Sequence, residues 1–293
     1  MQPTQNQNPA LCVLASGSSG NCSVLRTTDG RLVLIDAGIS PKRTAAALEA
    51  IGRALDDVAA IVLTHLDHDH FYASWATAVV SRLADDARVW VHASHAGERP
   101  LAPLHESKRL RTFERGAFAP VDTALFTSRL ASHDAEGVAT FRIEAIGPNG
   151  TGELAYMTDL GAVPDNLLDF HSGVGVLAIE SNYCPRLQIR SERPDFLKRR
   201  IMGGAGHLSN EQCLAATEAI APENHAVFLH LSRECNSPEI VGDLHDGADY
   251  ARTIAQPDQP TRWVDIEPRP TKIEPPQPVA KPNRQTSLFG HLA

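Results

Sequence analysis

The sequence predicts an α+β protein in which two β-sheets face each other and helices cover both outer faces, an αββα four-layer sandwich. Three observations carry that expectation. Short apolar runs of strand length recur from residue 11 to residue 266, bounded by turn-forming residues. Segments with helical spacing interrupt them along the whole chain rather than in one block. No internal repeat at solenoid spacing is present.

Residues 11–15 and 23–26 read as strands around the turn Ser16-Gly17-Ser18-Ser19-Gly20-Asn21, where Gly and Asn supply unusual backbone angles. Residues 32–36 are an apolar run of strand length. Residues 41–55 then have helical spacing, with Ala47, Leu48, Ile51 and Leu55 on one face. Ile61-Val62-Leu63 is bounded and too short for a helix, which suits a buried strand. A helix follows over 71–83, and further strands over 89–92, 140–145, 153–158, 176–180, 226–231 and 263–266. A helix over 209–220 has Ser209 as its N-cap.

The 293 residues are enough to bury a full core, and 42% hydrophobic content is ordinary for a soluble globular chain. Residues 1–10 read as a polar N-terminal tail without the basic start and apolar run of a signal peptide. No stretch reaches the roughly 20 apolar residues that span a bilayer, so no membrane partner is expected. Five cysteines without a CxxC pair argue against a disulfide framework and for a reducing cytoplasm. A net charge of −8 excludes a protein that coats nucleic acid non-specifically, but not a nuclease whose metal ions neutralise phosphate locally. Residues 11–266 form the expected folded domain. From residue 267 the chain turns Pro-rich, polar and aperiodic, which reads as an extended tail over 267–293.

The chemistry concentrates in Thr64-His65-Leu66-Asp67-His68-Asp69-His70, directly after the strand at 61–63. Histidines and carboxylates packed this densely repel or desolvate one another unless something positive sits between them, and sites in α/β folds favour strand ends. The segment resembles the metallo-β-lactamase superfamily signature T-H-x-H-x-D-H, with Asp67 where the second histidine belongs. An alternative register would use His68, at the cost of the spacing of the others. Further motifs are similar, in order, to those of the superfamily's YycJ (also WalJ or VicX) branch. They are Leu14 to Asn21, Ile35-Asp36-Ala37-Gly38, Ser132-His133-Asp134-Ala135, Met157-Thr158-Asp159-Leu160-Gly161, Ile179-Glu180-Ser181-Asn182, Gly206-His207-Leu208-Ser209-Asn210 and His230-Leu231-Ser232-Arg233.

The resemblance implies a two-metal hydrolase. His65, Asp67 and His133 would hold one divalent ion, Asp69, His70 and His230 the other, and Asp159 would bridge them. The choice of His230 over His207 follows the paired H-S-T and H-x-S motifs of ribonuclease Z. Catalytic roles would fall to Asp69, which accepts the water's proton, and to Glu180 and His207, which would either support the ligands from behind or stabilise the transition state. Asp36 would orient a loop or a ligand. Asp67 adds a hard oxygen, so Mn²⁺ is expected over Zn²⁺.

The branch implies action on DNA, as a 5′-to-3′ exonuclease linked to repair. Two basic segments suit a polyanion: Lys108, Arg109, Arg111 and Arg115, and a run from Arg186 to Arg200. Substrate contacts are expected from Ser209, Asn210, Arg199 and Arg200. The tail ends in Gln285-Thr286-Ser287-Leu288-Phe289, similar to the Q-x-x-L-F peptide that binds the bacterial β sliding clamp, so Gln285, Leu288 and Phe289 are the expected partner contacts. The competing readings are a phosphodiesterase for small cyclic or nucleotide substrates, and a non-catalytic adaptor that holds metal only for structure.

Overall fold

A computed structural model describes residues 7–133 and 137–268. The first sheet begins with β1 (Ala10–Ala15), β2 (Cys22–Arg26) and β3 (Leu32–Ile35), joined by antiparallel pairing. It continues through β4 (Val58–Val62), β5 (Arg88–His92) and β6 (Leu110–Phe113), all parallel to β3. The second sheet takes β7 (Gly116–Val121), β8 (Ala124–Ala131), β9 (Val138–Gly147) and β10 (Gly150–Met157) as an antiparallel meander. Parallel strands β11 (Val176–Glu180), β12 (His225–Leu229) and β13 (Ala251–Ile254) extend it. The last described strand, β14 (Val264–Asp265), returns to the first sheet and pairs antiparallel with β1, Ala10 opposite Asp265.

Alternation along β1 shows why the layers form. Leu11 and Val13 face the second sheet and pack with Phe126, Phe141, Ile143, Tyr156 and Val227. Cys12 and Leu14 point the other way, into a cluster with Leu48, Trp75 and Val79. Those partners come from α1 (Pro41–Ala50) and α2 (Trp75–Arg82), and α3 (Ala102–Glu106) adds Leu104. Leu167, Ile220 and Val241 cover the far face of the second sheet, from α4 (Asp165–His171), α7 (Asn210–Ile220) and α8 (Pro238–Leu244). Burial on both faces explains why these strands read as continuous apolar runs rather than alternating ones. The order is helices, sheet, sheet, helices, as the sequence predicts.

Two short helices, α5 (Pro185–Arg190) and α6 (Asp195–Met202), form an excursion between β11 and α7. Ser209 caps α7 through a full capping box with Gln212. The helix expected over 41–55 ends at Ala50, and the one over 71–83 begins at Trp75. All five cysteines are buried and free. Among the described residues, no helix is long and apolar enough to cross a membrane. The tail residues Gln285, Leu288 and Phe289 lie outside the described residues.

Candidate metal centre

Ligand-type side chains converge from strand ends in both sheets. The loop after β4 carries Thr64, His65, Asp67, Asp69 and His70. The second sheet delivers His133 after β8, Asp159 after β10, Glu180 at the end of β11 and His230 after β12. His207 lies in the connection from α6 to α7. Asp36, Asp159 and His230 hold left-handed φ values of 62°, 52° and 56°. Such angles cost non-glycine residues on the order of 1 kcal/mol or more. Each falls at or just beyond a strand end, where the abrupt turn places the side chain in the centre.

Three histidines are tethered through Nδ1 and present Nε2 to the interior. His65 Nδ1 meets Thr64 Oγ1 at 2.9 Å, His70 Nδ1 meets Asp36 Oδ2 at 2.7 Å, and His133 Nδ1 meets the Gly206 carbonyl at 3.1 Å. Their Nε2 atoms lie 3.6, 3.2 and 3.8 Å from Asp159 Oδ2. His230 Nδ1 lies 2.5 Å from Asp159 Oδ1, and its Nε2 lies 3.5 Å from Asp69 Oδ2. Asp159 is therefore the hub. Three groups of ligand atoms share it, each spanning no more than 4.8 Å: His65 with His133, Asp69 with His70 and His230, and Glu180 with His207 and His230. Asp67 Oδ2 stands 3.9 Å from both His65 Nε2 and His133 Nε2. The alternative His68 has its side chain 92% exposed and belongs to none of the three groups.

The donors fit divalent cations. His65 Nε2 and His230 Nε2 are buried without a hydrogen-bond partner, beside carboxylates. A buried nitrogen in that state is costly unless an ion takes its lone pair. Protonation points the same way for part of the set. Burial, then the charge of His70, holds His65 well below its ordinary value, so it is neutral. Burial pushes Asp69 up, but the neighbouring His230 and the charge of His70 outweigh it and bring its pKa to about 2. For His70, burial is outweighed by Asp159 and Asp36; for His230, by Asp159, Asp69 and Glu180; both sit well above the ordinary value. Those two must release protons when a cation enters.

Glu180, fully buried, is already in use. Its Oε2 accepts from the Leu160 and Leu208 amides at 2.8 and 3.3 Å, and its Oε1 accepts from His207 Nδ1 at 2.6 Å. It holds His207 at the edge of a cavity of about 280 Å³ that opens over the centre. Asp67, Asp69, His133 and His230 also line this cavity, with Arg193 and Arg200 contributed by the α5–α6 excursion.

A family model described as the metallo-beta-lactamase superfamily matches residues 15–149. An exodeoxyribonuclease of Bacillus anthracis, YycJ, is 30% identical, covering 78% of this chain and 84% of that one. The chain belongs to the metallo-β-lactamase superfamily, in its YycJ branch. The exodeoxyribonuclease WalJ of Streptococcus pneumoniae is 28% identical over 87% of this chain and 97% of its own. The metallo-β-lactamase fold protein YhfI of Bacillus subtilis superposes with a TM-score of 0.64 at 14% identity, covering 87% of this chain and all of that one. A diphosphatase of the PhnP family gives 0.60 at 19% identity, covering 88% and 99%. These two share the fold.

As a metallo-β-lactamase-fold hydrolase, the chain departs from several sequence expectations. Ser209 and Asn210, expected at the substrate, are buried: Ser209 Oγ caps α7, and Asn210 is spent on Ser181 and Asn236. Arg199 is exposed and does not line the cavity, whereas Arg200 does. The first basic segment lies away from the cavity. Arg109 is buried on the carbonyls of Ala84 and Ala87 and on Asp85, and none of Lys108, Arg109, Arg111 and Arg115 lines the cavity. Two residues emerge that the sequence reading gave no role. Asn21 Nδ2 lies 3.0 Å from His70 Nε2 and 3.3 Å from the Asp69 carbonyl, and Asn182 Nδ2 donates to the His230 carbonyl at 2.8 Å. Their positions in the family motifs were the available signal.

Proposed function

We propose that this chain is a DNA exonuclease that uses two divalent metal ions, Mn²⁺ in preference to Zn²⁺, with 5′-to-3′ polarity. The observation that carries the reading is that two ligand groups, His65 with His133 and Asp69 with His70 and His230, meet at Asp159 on the floor of a cavity edged by two arginines. The YycJ and WalJ relatives, named exodeoxyribonucleases, support the choice of DNA.

His65, Asp67 and His133 would hold one ion, Asp69, His70 and His230 the other, with Asp159 common to both. Bound there, two such ions supply neutralisation of phosphoryl charge and a water made acidic enough to react near neutral pH. Asp69 keeps its carboxylate ionised and accepts the proton of the attacking water. Burial lowers the pKa of His207, but Glu180 outweighs it and shifts the ring toward its protonated form. With Nδ1 engaged by Glu180, the other ring nitrogen is left to donate to the leaving oxygen. Arg193 and Arg200 hold the flanking phosphates.

The tail adds a place of work. Gln285, Leu288 and Phe289 would dock on the β sliding clamp and keep the enzyme beside replicating DNA in the cytoplasm. The test is incubation of the purified protein with 5′- and 3′-labelled DNA across Mn²⁺, Zn²⁺ and Mg²⁺. Release of the 5′ label first, best with Mn²⁺, is the expected result. Hydrolysis of small cyclic nucleotides with intact DNA would overturn the nuclease reading, and metal uptake without any hydrolysis would make the protein an adaptor. For the tail, a peptide of residues 281–293 titrated against the clamp should bind; no binding at millimolar peptide would remove the replication link.

A further inference from the structure

The excursion between β11 and α7 has a composition unlike the rest of the chain. Residues 185–202 carry six basic side chains and two acidic ones, within a protein of net charge −8. The same stretch holds four of the nine exposed large hydrophobic residues among those described: Leu187, Ile189, Phe196 and Met202. Ile189 at 62% and Phe196 at 67% are the two most exposed of the nine. An aromatic ring left in water costs free energy, and no core requirement keeps it there.

The placement of Phe196 gives it a use. Leu197 and Ile201, one turn apart on α6, pack inward on Tyr183 and Cys235 and fix the helix against the domain. Lys198 Nζ donates to the Ile189 carbonyl at 3.0 Å and ties α6 to the end of α5. Phe196 stands four residues before Arg200, so the two share a face of α6. Arg200 lines the cavity, as do Arg193 and Leu197. Arg193 is braced by Glu234, Gln188 and Ser232. Arginines that line the cavity and an exposed ring one helical turn from Arg200 place positive charge and a free π-face side by side. Basic grooves interleaved with aromatics are how unpaired strands are held without sequence preference, because every base has a face to stack.

We infer that the α5–α6 excursion is the strand-gripping surface of the enzyme, with Phe196 stacking on an unpaired base of the DNA strand whose phosphates meet Arg193 and Arg200. The inference rests on the nuclease reading above and adds to it the substrate's form: the nucleotides next to the scissile bond are unpaired. Bases inside a duplex already stack on both sides, so Phe196 finds a face only on an unpaired nucleotide or at a strand end.

The test uses the full chain loaded with Mn²⁺ and two substrates, 5′-labelled oligothymidylate and the base-free diester bis(p-nitrophenyl) phosphate. Phe196→Ala should raise KM for the oligonucleotide by roughly 5- to 150-fold, the range of one lost base–aromatic stack, with kcat little changed. Phe196→Trp should restore it, and the diester, with no nucleobase, should show a far smaller change in KM. Fluorescence anisotropy of oligothymidylate on the metal-free protein should show the same ranking of affinities. A KM for Phe196→Ala within about twofold of wild type would overturn the inference, as would an equal loss on both substrates. If wild type cleaves the diester but no DNA, the nuclease reading itself has failed, an outcome distinct from an insensitive Phe196.

Discussion

Replacing Asp36 by asparagine tests whether this buried carboxylate governs the centre without touching a cation. Its Oδ1 accepts the Thr64 amide at 2.8 Å, its Oδ2 accepts His70 Nδ1 at 2.7 Å, and Thr64 Oγ1 lies 3.0 Å from both oxygens. Asparagine adopts the left-handed angle readily, so the backbone is not at issue. The amide, however, has one acceptor oxygen for two donors on opposite sides. Either the Thr64 N–H or the His70 Nδ1–H must then face an NH₂ group. The lost charge-assisted bond is worth about 1.5–3 kcal/mol. Because His70 is the tethered ring, part of that loss falls on cation binding, where removing such an orienting partner weakens affinity roughly 10- to 100-fold. The assay is calorimetric titration of Mn²⁺ into chelator-treated wild type and variant. It is run at two pH values, because losing the Asp36 charge also eases proton competition at His70. One of the two ions should bind 10- to 100-fold more weakly at both pH values. Equal affinities for both ions in the two proteins would refute the chain of reasoning from Asp36 through His70.

His207→Ala should keep both ions yet lower turnover by roughly 10²-fold or more, while His230→Ala should lose one ion; elemental analysis reads the difference, and the reverse pattern would exchange their roles. Asp67→His should move the metal preference from Mn²⁺ toward Zn²⁺, measured as the ratio of rates with each ion, and a wild type active only with Zn²⁺ would sink the hardness argument. His171 is buried on Thr140, and burial, helped by Arg142 and Arg129, lowers its pKa to about 3. The unfolded chain therefore takes up a proton that the folded one refuses: this contribution is complete above about pH 6.5 and falls by about 1.4 kcal/mol per unit as pH drops toward 3. His171→Gln should flatten the acid limb of a urea-unfolding series by that slope, and an unchanged limb would show the ring is accommodated when charged.

The parts of the fold legible in the sequence are those buried on both faces. The strands at 32–35 and 176–180 are largely apolar and were read nearly whole, while of 58–62 only Ile61 and Val62 were read; all three carry site residues at or just past their ends. The edge strand β6 of the first sheet and the start of the meander were hidden. In β6 to β8 one face is half exposed, and the arginines around residue 110 read as a charged surface rather than a strand edge. Ser209 and Asn210 were misplaced because polarity beside a catalytic motif suggests contact with substrate, whereas here it serves a helix cap and a buried amide network. The short helices α5 and α6 left only Pro185 and Pro194 as signals, and a basic run concealed the rest. The centre itself was visible as residue types, but which nitrogen faces inward depends on tethers such as the Gly206 carbonyl, contributed from 73 residues away.

The centre draws on both sheets, and the first sheet is closed by a strand from the far end of the domain. During synthesis this has a simple effect. A ribosome that has released residues up to His70 has exposed a carboxylate and histidine loop with no partner groups. His133 and Asp159 come later, and His230 later still, while β1 waits for β14 to cover its edge. Each intermediate length holds at most part of the ligand set, and no truncated product of translation or proteolysis ending before residue 230 has a complete one. If these residues hold the ions as proposed, hydrolysis begins only once almost the entire domain has left the ribosome.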